Sequence, residues 1–237
     1  ESKPTLSYGF SDEADLHASD LRLHESGLSM QVSYKQGSVA LHAPVLGRFN
    51  AYNVLAVLSG LLALGNTLES ALPALAQLQS VSGRMQQFGG EKLPLVVVDY
   101  AHTPDAVRNV IATAREFTSG KVVAVLGCGG DRDASKRPLM GSALIEESGI
   151  AIFTSDNPRS EDPAKILEDM SSHLPINAPS RVVIDRHEAI AYAVSLCQSG
   201  DTLLVLGKGH ENGQEIKGEK IDFDDRLVLA KILEGPR

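Results

Sequence analysis

The stretch that decides the fold runs from residue 121 to residue 138 and reads KVVAVLGCGGDRDASKRP. Residues 121–126 have the length and apolar composition of a buried strand. A glycine-rich turn, residues 127–133, follows directly, and a helical pattern begins at Leu139. Strand, glycine-rich turn and helix in this order predict an open α/β sheet, in which ligands bind beyond the carboxyl ends of the strands.

The same alternation extends through the second part of the chain. Strands are predicted at residues 93–99, 121–126, 150–154, 181–184 and 201–206. Helices are predicted at residues 106–117, 139–147, 163–173, 188–197 and 222–233. This rhythm indicates a Rossmann-like, mostly parallel sheet with helices on its faces.

The first part of the chain has a different pattern. Its short segments, separated in part by glycines, predict antiparallel strands at residues 6–10, 21–23, 28–34 and 38–42. Two helices are predicted at residues 51–64 and 68–78. We therefore expect an α+β segment, residues 1–88, followed by an α/β domain, residues 89–237, with the boundary between about 80 and 90.

Composition excludes several classes of function. The 237 residues carry 30 acidic and 22 basic side chains, a net charge of -8, so a nucleic-acid partner is not expected. The two cysteines, Cys128 and Cys197, have no metal-ligand spacing, which predicts no metal site and a reducing compartment. No signal peptide and no apolar run long enough to span a membrane are visible, so we expect a cytoplasmic protein.

Four turns that follow predicted strands carry unusual polar clusters. They are residues 99–102 (DYAH), 127–137, 155–159 (SDNPR) and 207–211 (GKGHE). Because the carboxyl ends of parallel strands meet at one edge of a sheet, we expect these clusters to lie together there. Each also has a structural explanation: a helix cap, a solvated turn, an Asx-Pro turn or a flexible loop.

Two of the clusters have a definite ligand chemistry. Lys136 and Arg137, near Arg132 and a helix N-terminus, suit a carboxylate or a phosphate. Asp156 and Arg159 flank a rigid proline and suit a zwitterion, because Asp156 can face an ammonium while Arg159 forks onto a carboxylate.

Five motifs occur in order, and together they resemble the Mur ligase family. The motifs are DYAHTPD at 99–105, GCGGDRD at 127–133, KRP at 136–138, DNPR at 156–159 and GKGHE at 207–211. The resemblance implies that residues 89–237 are the C-terminal, Rossmann-like domain that brings in the amino acid. It also implies that residues 1–88 are the tail of the central ATP-binding domain, without its P-loop.

The resemblance implies ADP-forming amide synthesis through an acyl phosphate, in peptidoglycan precursor synthesis. The DNPR motif is similar to that of the members that add meso-diaminopimelate to UDP-N-acetylmuramoyl-dipeptide. ATP and Mg²⁺ are the implied cofactors, and Mg²⁺ would be held mainly outside this sequence. The catalytic residues are expected there too, so this chain is expected to be inactive alone.

The family's site residues carry over by motif. The resemblance implies that meso-diaminopimelate is held by Arg132, Asp156, Asn157, Pro158, Arg159, Gly207 and Glu211. It implies that ATP is lined by Asn50, Arg84, Asp99 and His102. Lys136 and Arg137 are assigned to a phosphate or to the nucleotide-peptide.

Three other readings stay open. The lysine-adding Mur ligase differs mainly at Arg159, which has no second carboxylate to pair with in lysine. A non-catalytic amino-acid-binding module is the second. A dehydrogenase of the Rossmann class is the third, but Asp131, Arg132 and Asp133 stand where the dinucleotide pattern needs its third glycine.

Overall fold

The computed structural model describes residues 5–175 and 177–234. It divides the chain into two compact units, Glu1–Ser80 and Val81–Arg237. This division lies at the start of the predicted boundary region, and it differs from the predicted division after residue 88. The reason is strand β5 (Gln86–Gly89), which pairs with the first parallel strand of the second unit and therefore belongs to that unit.

The first unit contains a four-stranded sheet in the order β1-β2-β3-β4. Its strands are β1 (Tyr8–Gly9), β2 (Leu16–His24), β3 (Gly27–Tyr34) and β4 (Gly37–Ala43), and its helices are α1 (Arg48–Ala63) and α2 (Leu68–Leu75). Strands β2, β3 and β4 are antiparallel as predicted, whereas β1 pairs with β2 in parallel. Alternate residues of β3, Leu28, Met30 and Val32, are buried in the core of this unit, which is the pattern of a sheet covered on one face.

The second unit contains a six-stranded sheet in the order β5-β6-β10-β7-β8-β9. Besides β5, its strands are β6 (Leu95–Asp99), β7 (Val122–Leu126), β8 (Ile150–Phe153), β9 (Ser180–Val182) and β10 (Thr202–Leu206). Only β5 is antiparallel to its neighbour. Every residue of β6, β7 and β10 is buried, as expected for strands covered on both faces. The predicted fold class, α/β with a mostly parallel sheet, is confirmed.

Five helices follow the strands of this sheet. They are α3 (Pro104–Arg115), α4 (Lys136–Glu147), α5 (Pro163–Ser171), α6 (Arg186–Ser195) and α7 (Asp225–Glu234). Alternate residues of the central strands pack against α6 and α7. Helices α3, α4 and α5 contact one another in sequence. Helix α4 begins three residues earlier than predicted because Pro138 is tolerated in a first helical turn, so Lys136 and Arg137 are helical.

The hairpin at residues 213–222 was not predicted. Strands β11 (Gly213–Ile216) and β12 (Glu219–Asp222) pair antiparallel where the sequence indicated a loop and the start of the last helix. The turn between them has positive φ at both Lys217 and Gly218, 51° and 80°. Such a primed turn suits a hairpin, but Lys-Gly lacks the Asn-Gly signal by which it is recognised.

The strand order gathers the polar turns. Strand β10 lies between β6 and β7, so the four strands that end in polar clusters, β6, β10, β7 and β8, are adjacent. Their ends are level, because Leu206 pairs with Asp99 and Leu126 pairs with Phe153. The chain runs from β6 through β7 and β8 to β9 in one direction and returns to place β10 between β6 and β7. Ligands in open α/β sheets bind where the strand order changes in this way.

A buried ion pair supports two of these strand ends from below. Arg186 and Asp225, both fully buried, are joined by hydrogen bonds of 2.8 Å from Nε and Nη2 of the arginine. Nη2 also donates to the Leu206 carbonyl at 2.9 Å, and Nη1 lies 3.5 Å from the Ser155 carbonyl. The pair therefore connects the ends of β8 and β10 through one guanidinium.

We predict that Arg186→Met destabilises the second unit by about 3–5 kcal/mol, because it leaves the Asp225 carboxylate buried without its cation. The double variant Arg186→Met/Asp225→Leu should lose less stability than Arg186→Met, since it removes both buried charges. Urea unfolding followed by the amide NMR signals of the second unit measures both free energies. A double variant that is less stable than Arg186→Met would contradict this explanation.

Candidate functional site

The carboxyl ends of β6, β10, β7 and β8 enclose a cleft of about 480 Å³. Among the lining residues are Tyr100, His102, Gly127, Cys128, Arg132, Lys136, Asp156, Asn157, Arg159, Gly207 and Glu211. The structure thus brings together members of all four predicted polar clusters. Pro158 is buried in the loop that carries Asn157 and Arg159, and it is absent from the lining.

Glycines allow the loops around the cleft to approach closely. A Cβ atom at Gly207 would lie 2.8 Å from Oδ2 of Asp156, and one at Gly130 would lie 2.0 Å from the Pro158 carbonyl oxygen. Real Cβ atoms do not approach other atoms so closely. Gly207 and Gly130 are therefore required by the contact of their loops with Asp156 and Pro158.

Arg159 is held in an unusual conformation at the edge of the cleft. Its φ is 52°, in the left-handed region that few residues other than glycine adopt. Its Nη1 donates a 2.7 Å hydrogen bond to the Gly130 carbonyl, and its Nε lies 3.4 Å from Oε2 of Glu215. A Cβ at Gly129 would lie 2.9 Å from Nη1, so this glycine makes room for the guanidinium.

Lys208 lies at the centre of the site, and sequence reasoning gave it no role. Its side chain is fully buried, and its Nζ lies 3.0 Å from Oδ1 of Asn157, 3.1 Å from Oε2 of Glu211 and 3.9 Å from Oδ1 of Asp156. Asn157 also donates to Glu211 at 2.9 Å. Lys208 therefore fixes three of the predicted site residues. Its position between two glycines inside the GKGHE motif was the available signal.

The two carboxylates beside Lys208 have opposite pKa shifts. Burial raises the pKa of Asp156, although Arg186 and Lys208 oppose the shift. Burial also acts on Glu211, but hydrogen bonds from Asn157 and Lys208 outweigh it and hold the pKa of Glu211 below its usual value. Glu211, which is partly exposed, is thus the carboxylate best suited to meet an ammonium in the cleft.

The predicted cations differ in their availability. Arg132 and Lys136 are exposed and line the cleft. Arg137 is buried, and its guanidinium donates to Glu161 at 2.7 Å and to Asp169 at 2.9 Å. Hydrogen bonds to Glu161 raise the pKa of Arg137 against the effect of burial. Because its charge is already paired, Arg137 supports helix α4, and Lys136 is the freer anion contact.

Three of the residues assigned to ATP surround Tyr100. Asp99 accepts hydrogen bonds of 2.8 Å from the backbone N–H groups of Met85 and Ala101. Burial raises the pKa of Asp99, and these bonds oppose the rise. The Arg84 guanidinium lies 4.6 Å from the centre of the Tyr100 ring. The centres of the His102 and Tyr100 rings are also 4.6 Å apart.

Asn50, the fourth residue assigned to ATP, belongs to the first unit. It lies in the first turn of α1, where its Nδ2 donates to the Leu46 carbonyl at 2.8 Å. Its Oδ1 accepts a 2.9 Å hydrogen bond from Asn53. These contacts fix its side chain within the first unit.

A second cavity, of about 610 Å³, adjoins the hairpin β11–β12. It shares Asn157 and Glu211 with the first cleft and is otherwise lined by residues 210–220. Although it is larger, it contains one strong cation, Lys220, and none of the strand-end glycines. The smaller cleft, where acids and bases from four strands converge, is the better candidate for the functional site.

The part of the chain that the structure describes contains no group of three or more His, Cys, Asp or Glu side chains that could hold a metal ion. Within residues 5–175 and 177–234, no helix is both long and apolar enough to cross a membrane.

Comparison with known families gives two matches. Residues 83–209 match the model "Mur ligase, glutamate ligase domain", and residues 1–60 match "Mur ligase middle domain". The chain is 43% identical over 235 residues to the UDP-N-acetylmuramoyl-L-alanyl-D-glutamate–2,6-diaminopimelate ligase of Geobacillus thermodenitrificans. This alignment covers 99% of the chain and 48% of the relative. The chain spans about half the length of the curated relatives it matches.

Solved structures agree with these matches. A structure of a UDP-N-acetylmuramoyl-L-alanyl-D-glutamate–2,6-diaminopimelate ligase superposes with a TM-score of 0.81 at 38% identity, over 97% of this chain and 47% of that one. A MurF ligase from Thermotoga maritima, solved in complex with ADP, shares the fold with a TM-score of 0.59 at 20% identity. That likeness covers 85% of this chain and 44% of the MurF chain.

We predict that Cys128 reacts slowly although it lines the cleft. Burial, with the neighbouring charge of Asp156, raises the pKa of its thiol to about 12 from 9.0. At pH 8 the thiolate fraction is then about a thousandfold below that of an unperturbed thiol, and alkylation is slowed accordingly. Iodoacetamide labelling of a Cys197→Ser variant, folded and in urea, measures the rate at Cys128. Equal rates in the two states would show that the thiol is not protected.

Proposed function

Because this chain belongs to the Mur ligase family, we propose that it takes part in the ATP-dependent, ADP-forming addition of meso-diaminopimelate to UDP-N-acetylmuramoyl-L-alanyl-D-glutamate. The observation that supports this proposal most directly is the cleft in which Arg159 and Glu211 are close together at the strand ends. A ligand with a carboxylate and an ammonium at its far end is complementary to such a pair.

In this proposal the cleft holds the amino acid by its distal end. Arg159 donates to the distal carboxylate, and Glu211 accepts from the distal ammonium. Asp156 supports the site from beneath the cleft and does not contact the ammonium, since its carboxylate is buried against Gly207 and faces Lys208. This role differs from the direct ammonium contact predicted for Asp156 from the sequence. Asn157 holds Glu211 in place, and Arg132 is left free for a second carboxylate.

The proposed reaction joins a carboxylate to an amine. The carboxylate of the nucleotide-peptide attacks the γ-phosphorus of ATP, which releases ADP and gives an acyl phosphate. The amine of meso-diaminopimelate then attacks the acyl carbon, phosphate leaves, and the amine loses a proton. The residues of this chain bind and orient the amine, which converts its attack into an effectively intramolecular step. The exposed Lys136 is available to the phosphate or the nucleotide-peptide.

ATP and Mg²⁺ need residues beyond the cleft. We propose that Arg84, Asp99 and His102 line the nucleotide. For Asn50, which belongs to the first unit, a nucleotide contact likewise stays a proposal. The described residues do not form a metal site of their own, so we propose that Mg²⁺ and the phosphates are held by the part of the relatives' length that this chain does not span. Because ATP and the nucleotide-sugar precursor are cytoplasmic, we place the reaction in the cytoplasm.

The second candidate is the lysine-adding reaction of the same family. This reaction needs the same ammonium receptor, Glu211, but lysine has no second carboxylate to accept hydrogen bonds from the free N–H groups of Arg159. Guanidinium N–H donors left unpaired in a partly buried site are costly, so the wrong amino acid is rejected. A binding module without catalysis would hold diaminopimelate in the same cleft and would show no ADP release in the full-length protein.

We predict that Arg159→Ala in the full-length protein lowers kcat/KM for meso-diaminopimelate about 30- to 150-fold, because a charged, two-point hydrogen bond is worth about 2–3 kcal/mol. The change should appear mainly in KM, and the KM for ATP should stay the same. Initial rates of ADP release with meso-diaminopimelate or L-lysine as the amine measure the effect.

Arg115→Ala is the matched control, since Arg115 is an exposed arginine in the last turn of α3. This variant should leave the KM for meso-diaminopimelate and the KM for ATP unchanged. The proposal fails if the wild-type protein uses L-lysine as well as meso-diaminopimelate, or if Arg159→Ala leaves the KM for meso-diaminopimelate unchanged.

A further inference from the structure

The hairpin β11–β12 is bound to the loop that carries Arg159. The Arg159 N–H donates to the Glu215 carbonyl at 2.9 Å, and the Lys217 N–H donates to the Arg159 carbonyl at 2.6 Å. These two bonds form an isolated parallel bridge between Arg159 and Ile216. Both backbone groups of Arg159 are therefore satisfied by β11 and the turn that follows it.

Two further contacts extend this pairing along the loop. The Gln214 side chain, which is buried, donates to the Asp156 carbonyl at 2.7 Å. The Glu215 N–H donates to Oδ1 of Asn157 at 3.1 Å. Four hydrogen bonds thus align residues 214–217 with residues 156–159. Glu215 is fixed at the backbone on both sides, so the direction of its side chain is limited.

The Glu215 side chain faces the guanidinium of Arg159. Oε2 of Glu215 lies 3.4 Å from Nε of Arg159, and the two side chains are 47% and 22% exposed. A guanidinium has five N–H donors. Nε forms an ion pair with Glu215, and one Nη1–H is hydrogen-bonded to the Gly130 carbonyl. Among the described residues the other three donors have no further partner, so they are available to a ligand.

We propose that Glu215 is a positioning residue that sets the direction of the Arg159 guanidinium, so that its remaining N–H groups are presented to a carboxylate in the cleft. The inference rests on the proposed function, which it deepens. A planar guanidinium that is hydrogen-bonded at one side of Nη1 and ion-paired at Nε is restricted in its rotation, and a carboxylate then meets two parallel N–H groups with little further ordering. The hairpin thereby becomes part of the specificity for an amino acid with a distal carboxylate.

The test is Glu215→Gln in the full-length protein, which keeps the shape of the side chain and removes its charge. Because the pair is partly exposed, we expect the KM for meso-diaminopimelate to rise about two- to fivefold. We expect kcat and the KM for ATP to stay unchanged. Glu219→Gln, an exposed glutamate on the other strand of the same hairpin, is the matched control and should change none of these values.

A double-variant comparison separates positioning from direct binding. If Glu215 acts through Arg159, Glu215→Gln has no further effect in an Arg159→Ala protein. If Glu215 instead binds the ammonium of the ligand, the same rise in KM persists there, and the proposal is wrong. An unchanged KM for Glu215→Gln in the wild-type background also overturns it.

A substrate-free measurement distinguishes failure of this inference from failure of the proposed function. In the 237-residue chain, the ¹⁵N–¹H resonance of Arg159 Nε should shift and broaden in Glu215→Gln and remain unchanged in Glu219→Gln. A shift in this resonance supports the contact even if the wild-type protein proves to use another amino acid. If the Arg159 Nε resonance is identical in Glu215→Gln and Glu219→Gln, the positioning role is wrong, whichever amino acid is the substrate.

Discussion

The site depends on one constraint. The guanidinium of Arg186 is buried, so it must keep its hydrogen-bonded partners. Its partners are the Asp225 carboxylate and the carbonyl at the end of β10, with the carbonyl of Ser155 beside them. A buried charge without partners costs several kcal/mol, so the fold cannot separate these groups cheaply. The loops at residues 155–159 and 207–211 therefore keep a fixed spacing, and the cleft between them keeps its shape without a ligand.

Above this pair the charges alternate in sign toward the solvent. Asp156 lies near the cations Arg186 and Lys208, and Lys208 contacts Glu211. This network has two cations, Arg186 and Lys208, and three carboxylates, and burial raises the pKa of one of them, Asp156. Glu211 is the member nearest the open cleft and the one whose pKa is lowered. A carboxylate held in its charged form at the open end of the network explains physically why this corner suits an ammonium.

The sequence predicted what depends on local pattern and on strand polarity. Apolar runs located the strands, and the rule that parallel strands end at one edge placed Asp156, Arg159 and Glu211 together. It did not predict Lys208 or the hairpin, because both depend on contacts across the sheet. Arg186 did leave a signal: a cation in the first turn of a helix opposes the helix dipole, and such a position indicates a specific anion nearby.

In the proposed function, the conformation of Arg159 connects the hairpin to substrate choice. A left-handed backbone costs a residue other than glycine roughly 1–2 kcal/mol, so Arg159 adopts it only where its surroundings require it. The surroundings are two backbone hydrogen bonds to residues 215 and 217, and neither involves a ligand. The free-energy cost of the left-handed backbone is thus offset during folding, and the guanidinium is in place before an amino acid binds. A ligand that brings a carboxylate then gains the full interaction, whereas one without it leaves the ordered donors unpaired. In the proposed function, selectivity at this cleft therefore follows from donors that are ordered before a ligand binds.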